Sequence, residues 1–319
     1  MRPFKHAIAR SLLLSVAIAT MAASSVLAGP MAGTKQGAAV PGSYGAAVTA
    51  WEAFKAAQPA ACSAAVDSTQ HLTGRRTGTV VLVLHGYAGN PAQMQPLMDM
   101  FGTDVNIIAP RLAGHFDQNM DALDDATFDQ WIAQAQQSLA IAQALGDRVI
   151  VAGYSLGGLL ASRLALESPD AIDRLVLLAP AWKLQPRAVV ESDLGALLGI
   201  RRSSLGDTQI CEVDHFDLSA RGAVEVHRLA QEVERTYRQG GTSAFALISH
   251  PILISVGGAD QIVDTPYVLA QLPDEHPVVH LVEDPTEGHL WYMQSQDLYR
   301  TGNAIGDAFV GQFRTFVAQ

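Results

Sequence analysis

Six short runs along the chain are almost continuously apolar and rich in β-branched residues. They are 79–84 (TVVLVL), 105–109 (VNIIA), 148–152 (RVIVA), 174–178 (RLVLL), 252–256 (ILISV) and 278–282 (VVHLV). Runs of this length without regular polar alternation have the pattern of strands buried on both faces. Helical spacing takes over between them. Residues 46–59 read as a helix that ends at Pro59. Asn90 and Pro91 offer an N-cap and a first-turn proline for a helix through Phe101. Thr127 can cap a helix to about Leu145, with Phe128, Ile132, Ala135, Leu139 and Ala142 on one face and Gly146 as its stop. Another helix runs through about Glu167, and residues 298–317 form a closing one. Strands alternating with helices predict an α/β fold: a mostly parallel, doubly wound sheet covered on both faces.

One interval breaks the rhythm. Residues 181–250 have mixed polarity and helical pieces such as 223–237. That is long for a connection and short for an independent domain, so it reads as a helical cap inserted over the sheet edge where strands end. The expected organisation is a leader and helix at 29–78, a core in two parts at 79–180 and 251–319, and the cap at 181–250.

The first 28 residues carry Arg2, Lys5 and Arg10, an apolar stretch at 11–23, and small side chains at Val26 and Ala28. This is the pattern of a secretory signal peptide cleaved after Ala28. A membrane anchor is the other reading, but the apolar run is short for a span. Removing 28 residues, three of them basic and none acidic, leaves 291 and takes the net charge from −10 to −13. The expectation is an exported protein, periplasmic or secreted, with no stable membrane span. In an oxidising compartment two cysteines in one chain often pair, which makes Cys62 and Cys211 a candidate disulfide tying the N-terminal segment to the cap.

Composition narrows the function classes. The 319 residues are 49% hydrophobic and only 16% charged, which argues against disorder. With 31 acidic and 21 basic residues, the chain has no basic face for nucleic acid and no polybasic patch for anionic lipid. Two cysteines are too few for a disulfide scaffold or a Cys-rich zinc site.

Chemistry concentrates where predicted strands end. Gly153-Tyr154-Ser155-Leu156-Gly157 fits G-x-S-x-G, with strand RVIVA running in and helix LGGLLASRLALE running out. A tight strand-to-helix turn exposes the Ser155 hydroxyl and puts a helix N-terminus behind it. A serine needs a base. His289 follows the last strand by a short acidic loop, so it converges on the Ser155 turn. His71, His227 and His276 lie in polar or helical stretches, and His280 lies inside a strand. The base needs a carboxylate to fix its tautomer, and Asp260 follows the fifth strand. Asp264 competes for that role but reads as a helix N-cap before Thr265 and Pro266. The backbone N–H groups of Leu156 and Tyr87 are the expected oxyanion donors, with Gly86 allowing close approach. His85, at a strand end, is expected to order that loop rather than act as a base.

These residues together resemble the α/β-hydrolase superfamily. The order Ser155, Asp260, His289 matches its Ser…Asp…His order. LHGYAGNP resembles the loop that carries the oxyanion donor, and residues 109–115 (APRLAGH) resemble its P-x-L-x-G-H segment. The resemblance covers about residues 79–317, and within the superfamily the chain looks like the carboxylesterase and monoacylglycerol-lipase branch. It implies ester hydrolysis through an acyl-enzyme on Ser155, with water deacylating it, no metal or organic cofactor, and a small ester or acylglycerol as substrate.

The fold hosts other chemistries. An aspartate nucleophile, which dehalogenases use, is absent from the turn. Cap carboxylates at Glu191, Asp193, Glu212, Asp214 and Asp217 keep an aminopeptidase open, and a thioesterase or perhydrolase would use the same site. A lipase needs an apolar surface; residues 194–200 (LGALLGI) offer one, although a packed cap helix is the favoured reading. Asp214, His215 and Asp217 match no defined metal spacing. A non-enzymatic binding module is opposed by the intact Ser155, Asp260 and His289 set. Sequence leaves the native substrate and the oligomeric state open.

Overall fold

The computed structural model describes residues 38–319 apart from 88, 120, 199–201, 205–210, 212–216, 273–278, 285–287, 290–298 and 300–303. The expected signal peptide at 1–28 lies outside the described residues, as do Glu212, Asp214, His215, His276 and part of the 194–200 segment.

The chain builds a seven-stranded sheet. Its strands are β1 (Thr69–His71), β2 (Thr77–Leu84), β3 (Asn106–Ala109), β4 (Gly146–Tyr154), β5 (Arg174–Leu178), β8 (Ile252–Gly257) and β9 (Val279–Asp284), in the order β1-β3-β2-β4-β5-β8-β9. Six are parallel, and β1 pairs antiparallel with β3 at the edge. The six apolar runs are those six parallel strands. Edge strand β1 (TQH) escaped the apolar criterion because it is short and polar, as an edge strand can be. Among the described residues, two further strands, β6 (Arg202–Ser204) and β7 (Asp217–Ser219), form a separate antiparallel pair.

Helices cover both faces, and the period of two along the strands sorts the core into two layers. Val80, Leu82, Leu84, Val149 and Val151 face one way, with Trp51 and Phe54 of α1 (Tyr44–Ala56) in the same cluster. Val81, Val83, Ile150, Ala152 and Tyr154 face the other. They pack with Leu97 and Met98 of α2 (Gln95–Met100) and with Phe309, Phe313 and Phe316 of the closing helix α9 (Ala304–Ala318). Asn90 caps its turn as expected, through a capping box with Gln93. That turn is 3-10 over Pro91–Met94 before α2 begins, because Pro96 has no N–H to donate to an earlier carbonyl. After the four-residue α3 (Ala122–Asp125), Thr127 caps α4 (Phe128–Leu145) through a box with Gln130. Helix α5 (Leu156–Glu167) follows β4 after a single residue.

Strands β5 and β8 pair directly, with Leu175 opposite Ile252, so residues 179–251 leave the sheet and return. That excursion holds α6 (Pro186–Leu197), the β6–β7 pair and α7 (Ala220–Tyr237). The expectation of a packed helix at 194–200 is corrected for its described part. Leu194, Leu197 and Leu198 are 51%, 82% and 64% exposed, and Val190 is 63% exposed. Helix α6 packs instead through the opposite side, where Gly195 is buried and Val189 meets the core. Cys62 and Cys211 form a disulfide, their Cα atoms 5.4 Å apart. Among the described residues, no helix is long and apolar enough to cross a membrane.

Candidate active site

Ser155 is the hinge between β4 and α5, and its backbone is left-handed at φ 52°. For a residue with a Cβ this conformation costs of the order of 1–3 kcal/mol and persists only where the surroundings enforce it. Here the main chain is held on both sides. The Ser155 N–H donates to the Leu178 carbonyl at 2.9 Å, and its own carbonyl accepts from Leu159 and Ala181, both at 3.0 Å. The motif glycines make room. A Cβ on Gly157 would fall 2.0 Å from the Leu84 carbonyl oxygen, and one on Gly153 would fall 2.3 Å from Gly157.

The expected partners converge on this turn. His289 Nε2 lies 2.9 Å from Ser155 Oγ, and His289 Nδ1 lies 2.7 Å from Asp260 Oδ2. All three residues are buried. The other oxygen of Asp260 accepts from the Ile262 and Val263 N–H groups, each at 2.8 Å. The carboxylate is thus held by three donors when Nδ1 carries a proton. Nε2 is then the lone-pair nitrogen facing the serine, the tautomer that proton removal requires.

Asp264 does what its sequence position implied. It caps α8 (Thr265–Ala270) by accepting from the Tyr267 N–H, and it pairs with Lys183 at 2.9 Å. His85 is a loop-ordering residue: its Nε2 accepts from the Leu112 N–H at 3.0 Å, so its Nδ1–H donates to the Gly86 carbonyl at 2.8 Å. Burial, reinforced by neighbouring His115 and Arg111, holds its pKa well below the ordinary histidine value. His115 is likewise pushed down to about 4 by burial. Its ring meets His85, Tyr87 and Trp131, with centroids 4.9, 5.7 and 5.8 Å away.

The loop with Tyr87 lies against the serine. A Cβ on Gly86 would sit 3.4 Å from the Ser155 Cβ. Leu156 is the first residue of α5, where N–H groups have no partner within the helix. The Tyr87 side chain points elsewhere: its hydroxyl donates to the Ser219 carbonyl at 2.6 Å, and burial pushes its pKa up. Ser219 caps α7, so the same loop carries the seat of that helix.

Sequence reasoning passed over Tyr154, because G-x-S-x-G leaves that position unspecified. Its hydroxyl donates to the His289 carbonyl at 2.7 Å. The available signal was the strand register, which puts Tyr154 on the face of Ile150 and Ala152, beneath the histidine. Of the cap carboxylates named above, Glu191 is exposed and paired with Arg187 at 2.7 Å, and Asp193 is exposed.

A buried serine on a strained strand-to-helix turn, linked through a histidine to a carboxylate at the same end of a parallel sheet, has the geometry of a nucleophile elbow. Residues 80–301 match the alpha/beta hydrolase family, and the chain belongs to it. It is 32% identical over 91 residues to the thermostable monoacylglycerol lipase of Bacillus sp. strain H-257, covering 28% of this chain and 36% of that protein. It is 26% identical over 159 residues to the pimeloyl-[acyl-carrier protein] methyl ester esterase of Aliivibrio salmonicida, covering 50% and 58%. Both matches span less than two thirds of the relative. Among solved structures, one reported for LipS and LipT, two metagenome-derived lipolytic enzymes, superposes with a TM-score of 0.60. It has 16% identity over 82% of this chain and 99% of that one, a likeness of fold.

Proposed function

We propose that the protein hydrolyses carboxylic esters through an acyl-enzyme on Ser155. The observation that carries this reading is the hydrogen-bonded run Ser155–His289–Asp260 at 2.9 and 2.7 Å. The esterase and lipase names of the two relatives support the choice of ester over amide.

Ser155 Oγ bonds to the acyl carbon as its proton passes to His289 Nε2. Asp260 stabilises the imidazolium that results. Charge on the former carbonyl oxygen meets the N–H groups of Leu156 and Tyr87. As the ester C–O bond breaks, the leaving alkoxide takes the proton from His289. Water then attacks the acyl carbon and gives a proton to His289. The acid departs as Ser155 Oγ recovers that proton.

Residues 181–250 act as the cap over this site. The exposed apolar side of α6 favours a second reading, an acylglycerol lipase that meets aggregated substrate. The pattern at 1–28 and the Cys62–Cys211 bridge support export.

A fluorophosphonate probe tests the nucleophile. Labelling of folded protein at Ser155, lost in Ser155→Ala, is the expected result; an unlabelled wild-type protein refutes it. A chain-length series of nitrophenyl esters, run beside emulsified triglyceride and an aminoacyl amide, separates esterase, lipase and peptidase.

A further inference from the structure

We infer that Tyr154 is a positioning residue for the base, an inference that rests on the proposed role of His289. Three observations converge on its side chain. Its hydroxyl donates to the His289 carbonyl at 2.7 Å. Its ring lies beside the imidazole, with centroids 5.2 Å apart and planes tilted by 32°. A Cβ on Gly86 would fall 2.6 Å from the same ring, so the loop with the Tyr87 N–H rests on it as well. Tyr154 is buried at the end of β4 and is covalently next to the nucleophile.

The serine and its base come from distant points in the chain. Ser155 and His289 are 134 residues apart, and the base follows the last strand of the sheet. Proton transfer requires them to meet within a few tenths of an ångström, and a misplacement of about 1 Å costs up to about 100-fold in rate. Tyr154 supplies a rigid reference. β4 pairs with strands on both sides, so the tyrosine ring has a fixed origin. The hydroxyl bond fixes the main chain that bears the imidazole, and the ring limits its tilt. Without the hydroxyl, a buried carbonyl loses this donor and gains by moving toward another. The imidazole then spends less time within reach of both Ser155 and the leaving oxygen.

A tyrosine that merely fills the core makes a different prediction, and the leaving group separates the two. His289 must take a proton from Ser155 with every ester. It must hand that proton on only when the leaving group is a basic alkoxide. Nitrophenolate leaves without it.

The test compares kcat/KM of wild type and Tyr154→Phe on the methyl and nitrophenyl esters of one acid, with each rate normalised to fluorophosphonate-titrated sites. Normalisation keeps the ratio readable in a partly unfolded preparation. The expected result is a fall of about tenfold for the methyl ester and about threefold or less for the nitrophenyl ester. Equal falls for both esters, no fall, or a variant that cannot be labelled at all would each overturn the inference, since the hydroxyl would then be inert or purely structural. An unlabelled wild-type protein would instead remove the reading of Ser155 and His289 on which the inference stands.

Discussion

The sheet and the excursion between β5 and β8 treat their apolar residues in opposite ways. In the sheet, Val80 to Leu84 are completely buried, and each alternate side chain enters one of two layers. In α6 and at its C-cap, Val190, Leu194, Leu197 and Leu198 face outward while Gly195 is buried. The sheet gains stability from every apolar residue it carries, at about 25 cal/mol per Å² removed from water. The outward residues, from 51% to 82% exposed, gain much less of this. Under the proposed function the two regions do different work: the sheet would fix the reacting atoms, and the excursion would present surface to what approaches them. They meet at the Tyr87 loop, whose backbone faces Ser155 and whose side chain holds the start of α7.

The largest expected effect lies on the sheet side. Asp260→Asn keeps the shape but lets the amide N–H₂ face His289. The imidazole then adopts the other tautomer and presents an N–H to Ser155, so it cannot take the proton. Turnover should fall roughly 10³- to 10⁴-fold, with a melting temperature within a few degrees of wild type. Steady-state assay and calorimetry on the one variant check both halves.

Acid should act next, through His115 beside that loop. Above pH 6.5 the ring is neutral in folded and unfolded chains alike, and its contribution to stability is intact. As pH falls below 6.5, the unfolded chain takes a proton that the buried ring refuses until about pH 4. Stability is therefore lost across that window, by about 3 kcal/mol from this group. Denaturant titrations at pH 7 and pH 4 should show a steeper loss in wild type than in His115→Asn.

The junction itself is probed by Gly222→Ala. The added Cβ would fall 2.4 Å from the Tyr87 hydroxyl oxygen, so α7 or the loop must shift. Overpacking of this kind costs about 1–3 kcal/mol. A drop in denaturation midpoint with a parallel loss of kcat is expected, because the displaced loop carries a candidate oxyanion donor.

The smallest effect belongs to the excursion. Leu197→Ser removes an outward side chain and should change stability by less than about 0.5 kcal/mol. Hydrolysis of a soluble ester should be unaffected, whereas hydrolysis of an emulsified one should drop. A stability loss of several kcal/mol would mean that α6 is packed after all.

How much of this was legible in the sequence follows the same division. The six parallel strands announce themselves because burial on both faces demands unbroken apolar runs. Ser155, Asp260 and His289 are legible because each lies in the loop or turn that follows such a run, where strand ends converge. What escaped depends on partners distant in sequence. β1 is polar and exists only by pairing with β3. The outward turn of the α6 leucines depends on which side of that helix meets the rest of the chain. Tyr154 matters because of a carbonyl 135 residues away. Local pattern places Tyr154 on a strand face but does not name the carbonyl it meets.

On the proposed mechanism Ser155 carries the acyl group during turnover. Acid quenching of the protein during turnover of a nitrophenyl ester, followed by peptide mass analysis, tests it most directly. The expected result is the mass of the acyl group on the peptide containing Ser155, and neither adduct nor turnover in Ser155→Ala. Undiminished hydrolysis by Ser155→Ala, or an adduct on another residue, would contradict it.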